Sequence, residues 1–487
     1  MSKNRLLVLV TTMVIVALLA GCAQPAPTAT PRPTVAPTKP AAAEPTAEPG
    51  GAVMAALRQD GYMGPALTTE PITLRMLKIT VSAAEQELYD RWVKEFTDAF
   101  PNIKIEEERV PYGDLYQKLQ VIIAGGEPPD VIKVDGPWVK AFCYFDAFEP
   151  LNDWLAKSYF DDYLPATLEE HSFQGKVYAW PERQSSLFGY YNRDLFVQAG
   201  IDPPPETTDP AKGWTWEKYL EAWKKLTIKP AGSEVPEVWG LAPSEFGPGG
   251  VGSLYYYEGM FIRGKGDPNA AKDSDEYKTW AAISEDGTDV KGYIDTPQAI
   301  EAMQWYQDLF QKEKVSPTAG MPNGFPDGRG ATAFATSDRV SRFPAANPKL
   351  NMGVTPVGYF SDGVPFTHSG STTVAVSKNS KHKAEAVALN HWFHTYAHRV
   401  EYAQVTGNLP AMISVFAGTG MYDKYPNTLF QAMLSTYAAP RPPGPGYLQY
   451  DSAATLAIRD IGLGADPTST LHEVADEING YLAQFKK

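Results

Sequence analysis

The chain has 487 residues, with 43 lysines and arginines against 57 aspartates and glutamates, and therefore a formal net charge of −14. This length exceeds one ordinary hydrophobic core, so two or three compact units are expected. The acidic balance argues against nucleic acid as a partner, which would need a basic face, and suits a soluble protein with a neutral or cationic ligand.

The first residues have the pattern of a secretory signal. Lys3 and Arg5 precede an apolar run at 6–20 that is too short to span a bilayer comfortably. The run ends in Leu-Ala-Gly-Cys, which resembles the bacterial lipobox and implies that Cys22 is lipidated after cleavage. Residues 1–21 are therefore expected to be a lipoprotein signal peptide, with an uncleaved anchor as the alternative. Either way the chain is expected outside the cytoplasm on a membrane, at the cell surface or in the periplasm.

A disordered tether is predicted for residues 22–70. Proline, alanine and threonine dominate its first half, and such a composition cannot bury a hydrophobic core. At about 3.1 Å per residue, an extended tether would hold the folded part away from the membrane. Cys143 is the only other cysteine, so the mature chain has no intramolecular disulfide available.

Alternating strand and helix patterns begin after the tether. A strand is predicted at 72–81, a helix from Ser82 to Phe100, a strand at 103–110, a helix ending at the glycines 125–126, and a buried strand at 130–134. In the first helix every fourth residue is large and apolar, which predicts one buried face. This order predicts a parallel α/β sheet with right-handed crossovers.

The strand at 130–134 leads directly into Asp135 and Trp138. Ligands bind at the carboxyl ends of strands in open α/β sheets, so a cleft is expected there. The chain is rich in aromatic residues outside periodic runs, and aromatic rings stack on the faces of sugars. The rings considered as ligand platforms, each with burial in the core as the alternative, are Trp138, Trp180, Phe246, Tyr255, Tyr256, Tyr447 and Tyr450.

A known family is recognisable in an ordered series of short blocks. They include Phe-Pro-Asn-Ile-Lys-Ile at 100–105, Ala-Gly-Gly-Glu-Pro-Pro-Asp-Val at 124–131, Tyr-Asn-Arg-Asp-Leu-Phe at 191–196 and Thr-Gly-Asn-Leu-Pro-Ala at 406–411. From about residue 70 onward the chain resembles the extracellular solute-binding proteins of bacterial ABC transporters. Within them it is most similar to the oligosaccharide-binding family 1, which includes maltose-binding protein.

The resemblance implies an α/β, two-lobed periplasmic-binding-protein-like fold of type II with a ligand cleft between the lobes. Lobe 1 is expected to comprise 71–188 plus 356–402, and lobe 2 to comprise 189–355 plus 403–487. The crossings would then lie near 186–191, 350–357 and 400–405. The implied function is capture of a small solute, most simply a saccharide, by lobe closure and its delivery to an ABC permease with an ATPase partner.

Site residues follow from the segments that contact ligand in the family. They fall here on Asp135, Trp138, Glu182, Arg183, Gln184, Phe246, Gly370, Ser371, Tyr450 and Asp451. Ser337 and Asp338 stand where the family often has a tryptophan, which removes one expected stacking ring. Trp180 and Tyr256 complete the predicted set as aromatic contacts.

No catalytic or cofactor motif accompanies these residues, so a monomeric non-enzyme without cofactor or metal is expected. His391, His394 and His398 could share a helix face and hold a metal, but an apolar helix explains them better. Three alternatives remain open: a binder of a non-sugar solute such as a peptide or small cation, a secreted carbohydrate-active enzyme, and a structural surface lipoprotein.

Overall fold

The computed structural model describes residues 50–243, 247–249, 254–442 and 444–486, with the backbone alone for Gly113 and residues 254–258. The predicted signal peptide, the lipidation site at Cys22 and the tether up to residue 49 lie outside these ranges. Within them, no helix is both long enough and apolar enough to cross a membrane.

Helices and strands alternate along the described chain. The strands are β1 (Ile72–Ile79), β2 (Ile103–Val110), β3 (Val131–Asp135), β4 (Ser172–Phe173), β5 (Lys176–Val177), β6 (Ala179–Ser185), β7 (Leu187–Asn192), β8 (Trp239–Leu241), β9 (Gly330–Thr336), β10 (Met352–Thr355), β11 (Thr367–Val376) and β12 (Ala438–Pro440). The helices are α1 (Gly51–Gln59), α2 (Ala83–Ala99), α3 (Tyr112–Ala124), α4 (Trp138–Tyr144), α5 (Lys157–Phe160), α6 (Pro165–Glu170), α7 (Arg193–Ala199), α8 (Trp216–Leu226), α9 (Leu254–Gly264), α10 (Asp275–Ala281), α11 (Pro297–Gln311), α12 (Arg339–Ala346), α13 (Lys383–Phe393), α14 (Tyr396–Thr406), α15 (Ile413–Gly418), α16 (Asn427–Thr436), α17 (Tyr447–Gly462) and α18 (Pro467–Leu482). Short 3-10 turns cover Pro210–Lys212 and Ala483–Phe485.

Sheet 1 has the strand order β12-β11-β3-β1-β2, and β6 also pairs with β11. β1 runs parallel to both β2 and β3, which confirms the predicted strand–helix–strand–helix–strand unit. β11 runs antiparallel to β3 and β6. Two strands that are both antiparallel to a third run in the same direction, so β3 and β6 end at the same edge of sheet 1.

Sheet 2 has the strand order β10-β7-β9-β8. β7 is antiparallel to both of its neighbours, and β8 is parallel to β9. We call sheet 1 and the helices packed on it lobe 1, and sheet 2 with its helices lobe 2. Each lobe has its own hydrophobic core, with a further apolar cluster in lobe 1 around α3 and α4.

Helix α2 shows how the sequence pattern sets local structure. The Ser82 side chain accepts a hydrogen bond from the backbone N–H of Glu85 at 3.2 Å, which satisfies a donor that the helix start leaves open. Leu88, Trp92 and Phe96 are buried in the core of lobe 1. The predicted buried face at four-residue spacing is therefore confirmed.

The chain changes lobe later than predicted at two of the three crossings. Only Ser186 separates β6 from β7, so the first crossing falls there. The chain returns to lobe 1 at Thr367 rather than 356, because Val357 and Phe360 are still buried in the core of lobe 2. It leaves lobe 1 beyond the predicted 400–405, because Ala411, Met412 and Val415 are still buried in the lobe 1 core. β12, predicted within lobe 2, instead pairs with β11 in sheet 1.

The prediction of a disordered tether is wrong for its last part. Residues Gly51–Gln59 form helix α1, which buries Val53, Met54 and Leu57 in the core of lobe 1. The proline-rich composition ends before this helix, and the apolar side chains that follow have a core to enter.

Candidate functional site

A cavity of about 390 Å³ lies where strands of both sheets end. Asp135 and Ser185 are the last residues of β3 and β6 in sheet 1, and Thr336 is the last residue of β9 in sheet 2. Side chains that follow strand ends are therefore brought together from both lobes. The lining residues are Tyr112, Asp135, Arg183, Gln184, Ser185, Thr336, Ser337, Asp338, Arg342, Gly370, Ser371, Thr372, Asn408 and Arg441.

Cavities of about 490, 410 and 400 Å³ lie elsewhere in the described chain. None of them is lined by strand ends of both sheets, and none includes a residue predicted from the sequence. The strand-end cavity is therefore the candidate site.

A buried ion pair forms one wall of this cavity. The Nη2 atom of Arg441 lies 2.9 Å from Oδ2 of Asp135 and 3.9 Å from Oε1 of Glu170. Arg441 is 8 % exposed and Asp135 is 6 % exposed. Charges this buried are tolerated only when they are closely paired. Arg441 directly follows β12, so the pairing of β12 with β11 determines its position.

Glu170 lies behind this wall at the end of α6. Its carboxylate accepts a hydrogen bond from the Ser371 hydroxyl, and Nε2 of His171 lies 3.2 Å from the same hydroxyl oxygen. Burial raises the pKa of Glu170 to about 7, against the opposing effect of Arg441. Burial also lowers the pKa of His171 to about 4. Gly136 makes the arrangement possible, because a Cβ there would lie 2.1 Å from the Ser371 hydroxyl oxygen.

Replacing Glu170 with glutamine should change how the free energy of unfolding depends on pH. The folded-state pKa of Glu170, about 7, lies above its ordinary value of 4.5. Between these values the folded protein holds a proton that the unfolded chain has released, so Glu170 makes the wild type lose stability as pH rises. Glutamine does not titrate. The free energy of unfolding of the Glu170→Gln variant should therefore rise relative to that of the wild type when the pH is raised from about 5 to about 8. Urea denaturation of both proteins at both pH values measures this change. If the variant and the wild type differ by the same free energy of unfolding at both pH values, the prediction is wrong.

The end of β6 is held by β11 and by residues 408–409. Nε of Arg183 donates to Oγ1 of Thr372 at 3.1 Å, and Nη1 donates to Oδ1 of Asn408 at 3.2 Å. The backbone N–H of Gln184 donates to the carbonyl oxygen of Leu409 at 2.8 Å. The guanidinium of Arg183 is thus oriented by two neutral acceptors at the cavity wall.

The wall from lobe 2 is organised around Asp338. Its Oδ2 lies 3.0 Å from Nε of Arg342 and 3.4 Å from Nη1 of Arg339, and its Oδ1 accepts a hydrogen bond from the Thr336 hydroxyl. The negative charge of Asp338 is therefore matched within its own lobe. Ser337, beside it, adds a hydroxyl to the lining.

An aromatic ring borders the cavity at Tyr112. Its ring is stacked on Trp138, with centroids 5.7 Å apart and planes 28° apart, and Tyr116 meets Trp138 edge-on at 5.1 Å. Tyr112 is 49 % exposed whereas Trp138 is 5 % exposed. The ring of Tyr112, the first residue of α3, is therefore accessible at the cavity, and the buried ring of Trp138 packs against it.

Seven of the residues predicted from the sequence line the cavity together. They are Asp135, Arg183, Gln184, Ser337, Asp338, Gly370 and Ser371. They come from β3, β6, β11 and the residues after β9, so they are distant in the sequence and adjacent in the fold. Their contact with a ligand stays a prediction.

Five predicted residues do not line the cavity. Trp138 lies beneath Tyr112, and Trp180 is buried in the core of lobe 1. Glu182 forms a buried ion pair with Lys133, with Oε2 at 2.8 Å from Nζ. Tyr450 is buried in lobe 2, where its hydroxyl lies within hydrogen-bonding distance, 3.2 Å, of the Ala282 carbonyl oxygen. Asp451 follows it on α17, outside the lining.

These corrections have two physical reasons. Successive side chains of a strand point to opposite sides, and Trp180 and Glu182 of β6 point to the core. The other three residues lie on helices α4 and α17, whose packing against the cores decides which side chains are buried. Of the two remaining predicted contacts, Phe246 lies outside the described residues, and the side chain of Tyr256 is not described.

Seven lining residues were not in the predicted set: Tyr112, Ser185, Thr336, Arg342, Thr372, Asn408 and Arg441. Asn408 stands inside the Thr-Gly-Asn-Leu-Pro-Ala block, which was a usable signal. Arg441 lies in the proline- and glycine-rich segment 440–446 that the sequence marks only as a loop. Its pairing with Asp135 joins distant parts of the chain, so no local pattern predicts it.

The sequence allowed His391, His394 and His398 to share one helix face, but in the structure they do not. Helix α13 ends at Phe393, between His391 and His394, and His398 lies on α14. Nε2 of His391 lies 3.1 Å from the carbonyl oxygen of Asp60, and Nδ1 of His394 lies 2.6 Å from that of Asn390. No group of side chains suited to a metal ion is found among the residues that the structure describes.

Two lobes with a polar cavity at their strand ends define a two-lobed binding protein. Comparison with known sequences identifies the family: the profile of the bacterial extracellular solute-binding proteins matches residues 82–395. The chain therefore belongs to this family, and the fold and family predicted from its sequence are confirmed. These proteins are extracytoplasmic and act with ABC transporters.

Similar proteins include sugar-binding members of the family. A binding protein of Brucella abortus is 25 % identical over 84 % of this chain and 93 % of its own length. A diacetylchitobiose-binding protein of Streptomyces coelicolor is 24 % identical over 66 % of this chain and 67 % of its own. The crystal structure of a cyclic α-maltosyl-1,6-maltose-binding protein from Arthrobacter globiformis aligns with a TM-score of 0.68, 22 % identity, and coverage of 85 % of this chain and 100 % of the other.

Proposed function

We propose that this protein captures a sugar or oligosaccharide in the strand-end cavity by closure of its two lobes. The observation that carries the proposal is the origin of the lining: polar side chains come from lobe 1 and from the residues after β9 in lobe 2. A ligand that contacts both walls favours the closed state over the open one, which is the requirement for hinge closure. The volume lies within the range of about 300–1,000 Å³ typical of small-molecule sites.

The chemistry of the lining also supports a saccharide. Hydroxyl, amide and guanidinium groups at Ser337, Asn408 and Arg183 match sugar hydroxyls, and the ring of Tyr112 offers a stacking face. The sugar-binding relative in Streptomyces points to the same class of solute.

Capture would serve transport. The lipobox-like sequence supports a lipid anchor at Cys22, and the residues up to 49 would then connect the anchor to the folded part. The closed, loaded form would be recognised by an ABC permease, which carries the solute across the membrane with its ATPase partner. We propose that the protein works as a monomer in this cycle.

Hydrolysis of the captured saccharide is less well supported. A glycosidase needs one carboxyl group as acid and a second as base or nucleophile. Both carboxylates in the cavity lining are already engaged by arginines, Asp135 by Arg441 and Asp338 by Arg342. A cationic solute is disfavoured by the same arginines.

Saccharides should raise the melting temperature of the full-length chain. Ligand that binds only the folded state stabilises it by about 2.7 kcal/mol at about 100 times Kd. A thermal-shift series with maltotriose, diacetylchitobiose, arabinotriose and acidic saccharides measures this, with peptides and polyamines as controls. A concentration-dependent shift with a peptide and with none of the saccharides would overturn the solute class. Shortened saccharides after incubation would instead indicate an enzyme.

A further inference from the structure

The charges that line the strand-end cavity do not balance. Arg183, Arg342 and Arg441 line it together with Asp135 and Asp338. Two of the arginines are matched, since Arg441 is paired with Asp135 and Arg342 with Asp338. Arg183 remains as a third positive charge in the lining.

Arg183 has no carboxylate within ion-pair distance in the described ranges. Its two hydrogen bonds go to neutral acceptors, the Thr372 hydroxyl at 3.1 Å and the Asn408 side-chain carbonyl at 3.2 Å. A guanidinium carries five N–H donors. The two bonds use one hydrogen on Nε and one on Nη1, which leaves the two hydrogens of Nη2 and one of Nη1.

Two of the remaining donors are on Nη2 and the third is on Nη1, so neighbouring N–H groups of these two atoms are available to one ligand. Two parallel N–H groups at such an edge match the two oxygens of a carboxylate or phosphate, and these bidentate contacts are stronger than bonds between neutral groups. Thr372 and Asn408 already fix the guanidinium through Nε and Nη1, so little side-chain freedom is lost when an anion binds.

The groups behind the wall do not remove this surplus. Glu170 lies on the Arg441 side and accepts a hydrogen bond from Ser371. Glu85, Glu182 and Asp338 attract Arg183 only from beyond ion-pair distance, and Glu85 lies 3.5 Å from Nζ of Lys133. Glu182, next to Arg183 in β6, is paired with Lys133 in the interior of lobe 1. Asp338, on the opposite lobe, is already engaged by Arg339 and Arg342.

We infer that the solute is an acidic saccharide, whose carboxylate or phosphate group binds the free guanidinium edge of Arg183. This inference rests on the proposed function and narrows it to a class of sugar. The net charge of the whole chain, −14, is no obstacle because surface charges beyond about 8–10 Å are screened at physiological salt.

Matched pairs of saccharides test the inference by titration calorimetry on the full-length chain. Galacturonic acid is compared with galactose, digalacturonic acid with galactobiose, and glucose 6-phosphate with glucose. We expect the acidic member of at least one pair to bind tenfold or more tightly than its neutral counterpart. The uronic acids and the phosphate ester separate carboxylate from phosphate recognition.

Three variants locate the effect. Arg183→Gln removes the positive charge. It should weaken the binding of acidic saccharides tenfold or more and change the binding of neutral saccharides less than threefold. Arg183→Lys retains the positive charge but lacks the paired N–H groups of the guanidinium. Its affinity for acidic saccharides should lie between those of the wild type and Arg183→Gln. Arg459→Gln, on the surface of α17 beside Asp460 and outside the cavity, should leave binding unchanged. Melting temperatures without ligand confirm that each variant is folded.

The outcomes distinguish this inference from the proposed function. If neutral saccharides bind as tightly as acidic ones, or if Arg183→Gln weakens both alike, the inference is overturned and sugar capture stands. If no saccharide binds, the proposed function fails and the inference fails with it.

Discussion

Replacing Arg441 with methionine should lower the free energy of unfolding by about 3–5 kcal/mol, the usual cost of removing one partner of a buried ion pair. Nη2 of Arg441 lies 2.9 Å from Oδ2 of Asp135, and both side chains are almost entirely buried. Methionine keeps most of the side-chain volume but leaves Asp135 without its guanidinium. Urea denaturation at neutral pH measures the loss.

A second substitution separates the charge effect from packing. Asp135→Asn in the Arg441→Met background replaces the stranded carboxylate by a neutral amide of the same shape. The double variant should therefore recover a large part of the lost stability, and the double-mutant cycle gives the coupling between the two side chains. If Arg441→Met costs less than about 1 kcal/mol, the pair is effectively solvated and the wall it forms is not rigid.

Replacing Trp138 with alanine should cost about 3–5 kcal/mol of stability, as is typical of large aromatic residues truncated in a core. The ring lies beneath Tyr112 and against Tyr116, and it is buried in the apolar cluster around α3 and α4. From the sequence alone, Trp138 was expected to stack on the ligand, and its loss would then weaken binding while leaving the fold intact. The structure buries the ring in the apolar cluster, which favours an effect on stability. Chemical denaturation and ligand titration of the same variant decide between the two.

Tyr112→Ala is the matched control, because it truncates the other ring of the same stack. Tyr112 is half-exposed, so its loss should change stability much less than the loss of Trp138. Its effect should appear in ligand affinity, at about 0.5–1.5 kcal/mol for an aromatic contact. A stable Trp138→Ala variant with weakened binding, beside a Tyr112→Ala variant with normal binding, would restore the original assignment.

The periodic parts of the fold were predictable because their signals are local. The capping serine at 82 and the apolar residues of α2 belong to one helix. The strands Ile72–Ile79 and Ile103–Val110 were likewise predicted from residues within each strand. The lobe boundaries were less predictable. Whether Phe360 or Tyr402 belongs to one core or the other depends on which apolar surface each segment meets after folding.

For the site, the sequence located the segments better than the side chains. The strand ending at Asp135 and the segments containing Arg183, Ser337 and Gly370 do meet at one cavity. Trp180 and Glu182, from the same β6 strand as Arg183, face the interior of lobe 1 instead. A sequence pattern indicates that a strand ends at the cleft, but it does not say which side chains turn toward the cleft.

By itself the sequence determined the α/β class, the family and the strand end at Asp135, because these follow from local periodicity and short blocks. Only the tertiary structure decided which charges meet. The overall acidity suggested a neutral or cationic ligand, yet the cavity contains three arginines and two aspartates. The reason is that electrostatic interactions depend on distance in space. The fold brings Arg441 to Asp135, and it places no carboxylate of the described residues within ion-pair distance of Arg183.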